Sequence, residues 1–222
     1  MKLTHPDLSI VFDTEIDQVN TLVIEEPLFL RSFLLDINRQ IDGSSGQVVL
    51  SESEKPLEMS RKAELLDDFI RFDINRRNLL SRISTAVERS ASSPDHYEKT
   101  SQLLAEIERY MYEISFDFPC DILFNKLSVS SLVKSAGILL RDEYDGLAEK
   151  VIDYFELVRE FDADKLFVTY NMRAVVSDEE TSEFMDTVLS HGFHVLMVEN
   201  HEYSRLVQER RWIVDNDLCE IG

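Results

Sequence analysis

Three sets of residues in this chain have the types and spacing to do chemistry. Glu25, Glu26 and Glu199 each follow a short, largely apolar run that reads as a strand. Carboxylates just past the carboxyl ends of parallel strands lie where α/β sheets place ligand sites, and acids there hold Mg²⁺ in metal-dependent nucleases. Arg71, Arg76, Arg77, Arg82 and Arg89 stand against only Asp73 and Glu88, a local excess of positive charge in a chain of net charge −20. Guanidinium forks match phosphate oxygens, so this stretch fits sequence-independent contact along a DNA duplex. It fits equally a solvated helix face with intrahelical ion pairs. Arg76 and Arg77 open a helix, where the macrodipole disfavours cations, so that face has no local reason to be basic there. Arg205, Arg210 and Arg211 form a weaker cluster, read as surface or interface. The third set is histidine. His191 and His194 are three apart and His201 lies beyond the strand that His194 opens. At about 3.3 Å per residue that strand separates His194 and His201 by roughly 20 Å, which disfavours a three-histidine metal site.

The missing motifs narrow the choice. None of the six glycines (Gly43, Gly46, Gly137, Gly146, Gly192, Gly222) sits in a Gly-rich phosphate loop, so no nucleotide is expected to bind. No nucleophile elbow, zincin helix or EF-hand loop occurs. Cys120 and Cys219 stand alone, which disfavours a disulfide scaffold or a cysteine zinc site. With no apolar run of signal-peptide or bilayer length, a reducing cytoplasm and no membrane partner are the expectation. Hydrophobic residues make up 44% of the 222, enough for a core. The strong acidity argues against a protein that coats nucleic acid with its whole surface, and leaves a local basic groove open.

The elements that must position these residues alternate between two regimes. Residues 9–12 and 21–24 read as strands, the second apolar enough to be covered on both faces. Pro27 opens a helix through Gln40, suited to the first turn because its missing N–H had no partner there. A loop follows over 42–56, with room for a short strand at 47–50. From 57 to about 162 the pattern is helical: 57–69, 75–90, 95–114, 128–135 and 144–161. The 75–90 and 95–114 helices are joined by a few residues, so they form an antiparallel pair, and their apolar stripes are most simply its seam. Among these residues are Leu79, Ile83 and Val87 on one helix, and Leu103, Ile107, Tyr110 and Ile114 on the other. The chain then returns to α/β, with strands at 165–170, 193–198 and 211–214. Between the first two lies a helix started by a Ser177/Glu180 capping box and stopped by Gly192. Apolar strands around a helix imply a parallel sheet. One sheet built from both chain ends is expected, with a helical insertion: 1–60 and 163–222 as an α/β head, 61–162 as a helical leg.

At Phe72-Asp73-Ile74-Asn75 the chain resembles the type II-A CRISPR adaptation (spacer acquisition) protein, the ring-forming DNA-end binder. The match is dispersed but collinear. Its segments are Thr21-Leu22-Val23-Ile24-Glu25-Glu26, Leu65-Leu66-Asp67-Asp68, Leu132-Val133-Lys134-Ser135-Ala136-Gly137, Phe167-Val168 with Ser177-Asp178-Glu179, Val195–Glu199, and Trp212–Asp217. Order and spacing carry the resemblance across nearly the whole chain; no single motif is diagnostic.

The resemblance implies a P-loop-ATPase-like head with a mostly parallel sheet, no working nucleotide site, and an inserted α-helical leg. It implies a non-catalytic homotetrameric ring that holds double-stranded DNA ends in a positive channel, supported by calcium, and acts with the CRISPR integrase and the effector nuclease. Lys134 lies on a matched segment and joins the arginines as a DNA-binding candidate, with a carboxylate partner as its plain structural alternative. Asp117 and Asp121 keep acids at positions matching the family's acidic stretch. Leu123, Asn125, Lys126 and Ser131 fall where the family often carries Asp or Glu, which thins any calcium site. Two other readings stand beside this one: a metal-dependent nuclease or phosphohydrolase on the same sheet, and an acidic scaffold that binds proteins without DNA.

Overall fold

A computed structural model describes all 222 residues. The chain divides into two compact units, Met1–Phe72 with Glu143–Gly222, and Asp73–Asp142. The first is a mixed α/β unit around a six-stranded sheet. It contains β1 (Lys2–Thr4), β2 (Val11–Asp13), β3 (Val19–Ile24), α1 (Pro27–Ile41), β4 (Val49–Glu52), β5 (Lys55–Pro56), α2 (Met59–Lys62) and β6 (Ala63–Leu66). After the second unit follow α6 (Leu147–Arg159), β7 (Leu166–Tyr170), a 3₁₀ turn at Met172–Ala174, α7 (Asp178–His191), β8 (His194–Glu199), β9 (Glu209–Val214) and β10 (Glu220–Ile221). The second unit is helical: α3 (Arg77–Ala91), α4 (Pro94–Ser115) and α5 (Val129–Ala136).

The main sheet runs β10-β9-β3-β8-β7-β6. All its pairings are parallel except β10 on β9. β3 is buried at all six positions, Asn20 and Thr21 included, as expected of a strand covered on both sides. Alternation along the strands sends Leu22, Ile24, Leu166, Val168, Leu196 and Val198 to one face. There they share a core with Leu30, Phe33 and Ile37 of α1, and with Leu3, Phe12 and Leu50 of a small antiparallel sheet ordered β2-β1-β4-β5. Phe167 points to the other face and stacks on Phe155 of α6 at 3.8 Å, with Phe184 and Phe193 completing the cluster.

Three expectations need correction. Residues 57–69 do not form one helix. A single turn, α2, is followed by β6, which pairs in parallel with β7 from Ala63↔Leu166 to Leu66↔Thr169. Apolar residues at 57, 59, 63, 65, 66 and 69 fit a helical face and a short edge strand alike, and the unpaired edge of β7 decides. The strand near 9–12 belongs to the small antiparallel sheet and not to the main one. The third concerns α6. It follows the helical pattern in sequence, yet its Val151, Phe155 and Val158 are buried in the first unit. The compact helical unit is therefore narrower than the helical pattern of 61–162.

β8 and β9 flank β3 in parallel, so the chain must cross the sheet between them. Such crossovers normally use a helix. Here the irregular segment 200–208 suffices, and two buried arginines hold it. No helix is long and apolar enough to cross a membrane.

Candidate functional site

The arginines of 71–89 do not form one stripe. Arg71 lies in the first unit, where its N–H donates to Asp68 Oδ1 at 3.0 Å. Arg76 is the extended N-cap residue of α3 and Arg77 its first helical residue, with no acid in that turn to offset them. Arg82 and Arg89 are exposed on α3, two turns apart. At about 100° per residue they share one side of the helix, away from Ile83 and Val87. Arg77 lies about 140° from Arg82. Arg89 also sits in the last turn, where a cation suits the helix dipole. Lys134 is exposed in the last turn of α5. Of the C-terminal cluster, Arg211 is not a surface residue: it is 5% exposed and serves the core, Arg210 lies over the Trp212 ring at 5.1 Å, and Arg205 is exposed.

The second unit has almost no core of its own. Of its 70 residues from Asp73 to Asp142, Ile74 and Leu79 are its buried apolar side chains, and α4 buries none along 22 residues. The expected α3/α4 seam closes only in part. Leu104 and Met111 are half-buried, whereas Leu103, Ile107, Tyr110 and Ile114 are 37–62% exposed. Their spacing of four, three and four is the heptad seam of a coiled coil.

The acids at the strand ends do not converge. Glu26 caps α1: its carboxylate accepts from the N–H groups of Leu28 (3.1 Å) and Phe29 (2.6 Å). Those are the donors that a phosphate at a helix N-terminus would use, and here the chain's own carboxylate fills them. Glu25 accepts from Asn216 Nδ2 at 3.3 Å. Glu199 is fully buried on the opposite face of the sheet from α1, where its Oε1 accepts from the Arg173 N–H at 3.3 Å. No group of three or more His, Cys, Asp or Glu side chains is placed to hold a metal ion. Asp117 and Asp121 are both exposed in the loop after α4. Two carboxylates are far short of the six to eight oxygens calcium takes, so one chain's residues here do not fit that ion. The histidines stay apart: His191 Nδ1 lies 2.9 Å from Thr187 O, His194 Nδ1 2.8 Å from Thr14 Oγ1, and His201 Nδ1 2.7 Å from Asn200 Oδ1.

Sequence reasoning missed the buried charge network beneath the 200–208 crossover. Arg211 makes a two-pronged contact with Glu209 (2.5 and 2.8 Å), reaches Glu202 (2.9 Å) and donates to the carbonyls of Tyr203 and Ser204. Arg173, with its side chain 1% exposed, bonds Asp178 (2.6 Å) and Ser204 O (2.9 Å), and lies 3.5 Å from Glu209. Only the strand alternation of Glu209 and Arg211 hinted at this, since it sends both side chains to one face.

Burial pushes the Glu199 carboxyl up to about 7, and the nearby Arg173 offsets only part of that. The linkage sign is fixed. Below the unfolded value near 4.5 both states are protonated and no penalty exists. As pH rises towards 7 the unfolded state ionises first, and the fold loses about 3 kcal/mol relative to its acid-side stability. Glu199→Gln should therefore match the wild type near pH 4.5 and exceed it by up to that amount at about pH 8, as read from denaturant midpoints at both values. A stability difference independent of pH would show that folding does not raise the Glu199 carboxyl.

The family model described as "CRISPR-associated protein (Cas_Csn2)" matches residues 40–218. A CRISPR-associated protein Csn2 of Enterococcus faecalis is 23% identical over 209 residues, covering 92% of this chain and 91% of that one. A CRISPR-associated protein Csn2 of Streptococcus agalactiae is 20% identical over 219 residues, covering 92% and 97%. The match takes in the arginine-bearing α3, the open seam of α4 and the strands of the C-terminal half, and the chain belongs to the Csn2 family of CRISPR-associated proteins.

Proposed function

We propose that this chain is a non-catalytic DNA-binding protein of CRISPR spacer acquisition: a homotetrameric ring that holds the ends of double-stranded DNA for the CRISPR integrase and the effector nuclease in the cytoplasm. The first unit serves as a P-loop-ATPase-like head without a working nucleotide site, the second as the leg. The exposed heptad seam of α4 carries the reading. A helical unit with so little core gains its stability by packing an apolar face against another surface, and a second copy supplies the matching stripe. Assembly also resolves the charge problem. A chain of −20 repels a polyanion, but a ring gathers the few arginines of each copy on an inner surface. Catalysis has no support in the geometry, because Glu25 is bonded to Asn216, Glu26 caps α1 and Glu199 is buried in the core. Calcium supporting the assembly would need ligands from more than one copy in this reading, since one chain offers only Asp117 and Asp121.

Gel shifts at low salt with linear and covalently closed duplex of one sequence test it, alongside mass by light scattering. Linear DNA should shift and remain uncut with Mg²⁺, closed circles should not shift, and the protein should be tetrameric. Equal binding of circles would mean that DNA does not thread through a ring.

A further inference from the structure

Four adjacent parallel strands each place one polar group around a single cavity of about 580 Å³. Glu25 follows β3, Asn200 follows β8, Tyr170 ends β7 and Asp67 follows β6. Those strands are neighbours in the sheet, and their carboxyl ends are where α/β folds place ligands. α1 closes the cavity with Leu30 and Leu34 and adds Arg31 at its side. The volume falls within the range of ligand sites, and the lining is more apolar than polar. The rim is fixed. Asn171 adopts a left-handed backbone (φ 54°), its N–H donates to Val198 O at 2.9 Å, and its Oδ1 accepts from the Asn200 N–H at 3.1 Å. That ties the ends of β7 and β8 together.

The lining selects the ligand by chemistry. Phosphate is disfavoured because Glu26 already occupies the N–H groups of the neighbouring helix end. Asp67 makes no hydrogen bond or ion pair, and Glu25 has only an amide partner. Two carboxylates above an apolar floor favour a cation carried on an apolar body. Arg31, which pairs with no acid, repels a free polyamine but can donate to a carbonyl, as can Asn200. A peptide offers both features.

We propose that this cavity docks a basic segment of a partner protein. One arginine or lysine side chain reaches Asp67, with Glu25 three strands away adding its negative charge across the cavity, an apolar neighbour lies on Leu30 and Leu34, and a backbone carbonyl accepts from Arg31. The strong negative charge of the chain steers such a segment in. The site stands apart from the DNA-binding reading.

Fluorescence anisotropy of the full-length protein with a short labelled peptide centred on Leu-Arg-Leu tests it, against the same peptide centred on Leu-Glu-Leu and against spermidine as competitor. The basic peptide should bind saturably and the acidic one should not. Asp67→Asn, on the exposed rim, should weaken binding by at least about tenfold, and Leu34→Trp, which fills the cavity, should abolish it. Asp67→Asn should leave DNA gel shifts unchanged, so the two readings fail separately. Absence of saturable binding, equal binding of the acidic peptide, an unaltered affinity in Asp67→Asn, or displacement by spermidine at matching concentrations would each overturn the proposal.

Discussion

Replacing Leu103 and Ile107 together by Asp should break the assembly into smaller species without unfolding the chain. Both side chains are already partly in water within one copy, at 50% and 37% exposure, so the folded chain loses less than a buried pair would when they become polar. A tetramer that packs the α4 seam against its counterpart loses far more. Each copy forfeits two apolar side chains and brings two carboxylates into an apolar interface without partners. Those terms together exceed about 4 kcal/mol, or roughly a thousandfold in dissociation constant. Light scattering should show the mass fall, with far-UV circular dichroism unchanged. DNA affinity should fall with it, because the copies then contribute their arginines singly. The same pair of substitutions at Leu104 and Met111 should instead disturb the helical unit itself, since those side chains are half-buried within it. If Leu103→Asp/Ile107→Asp stays tetrameric, the seam is not a subunit contact and assembly uses another surface.

What the sequence made legible follows from how locally each feature is determined. β3, β7 and β8 carry the apolar stretches Leu22–Ile24, Leu166–Val168 and Val195–Val198 without polar alternation, which suits a strand covered on both faces, so the parallel sheet was readable. The cap of α7 was readable too: Ser177 and Glu180 do satisfy each other's backbone N–H groups, and Gly192 ends the helix in the left-handed region. β6 was not, because its identity depends on the distant β7 edge and not on its own four residues. The open seam of α4 was hidden for a related reason. Leu103, Leu104, Ile107, Tyr110, Met111 and Ile114 announce an apolar helix, but periodicity does not say which side faces the chain's own unit. The site residues split the same way. Clustered arginines are visible in composition, whereas Arg173, Glu199, Glu209 and Arg211 meet only because a crossover without a helix brings 200–208 over the sheet.

Among the arginines, Arg82→Ala/Arg89→Ala should weaken binding to linear duplex more than Arg76→Ala/Arg77→Ala. A duplex laid along α3 touches one side of it. Arg82 and Arg89 share that side at two turns' separation, away from Ile83 and Val87, while Arg77 points about 140° from Arg82. Every arginine–phosphate pair contributes about 0.9 to the slope of log affinity against log salt. Removing two such pairs from each copy therefore flattens the slope by about 1.8, and lowers affinity roughly thirtyfold near physiological salt, for every copy that touches the duplex. The effect should be the same for every sequence, because phosphate recognition carries no base information. Screening over about 8 Å weakens the chain's distant acids, so affinity should be read at several salt concentrations. Oligomeric state should not change, as all four arginines lie off the α4 seam. If Arg76→Ala/Arg77→Ala weakens binding more, the duplex meets the N-terminal end of α3 and not its side. If neither pair changes affinity or slope, the arginines are a solvated helix face. The phosphate partner must then be sought at Lys134 or the exposed Arg205, because Arg211 is committed to Glu209 and Glu202 in the core of the first unit.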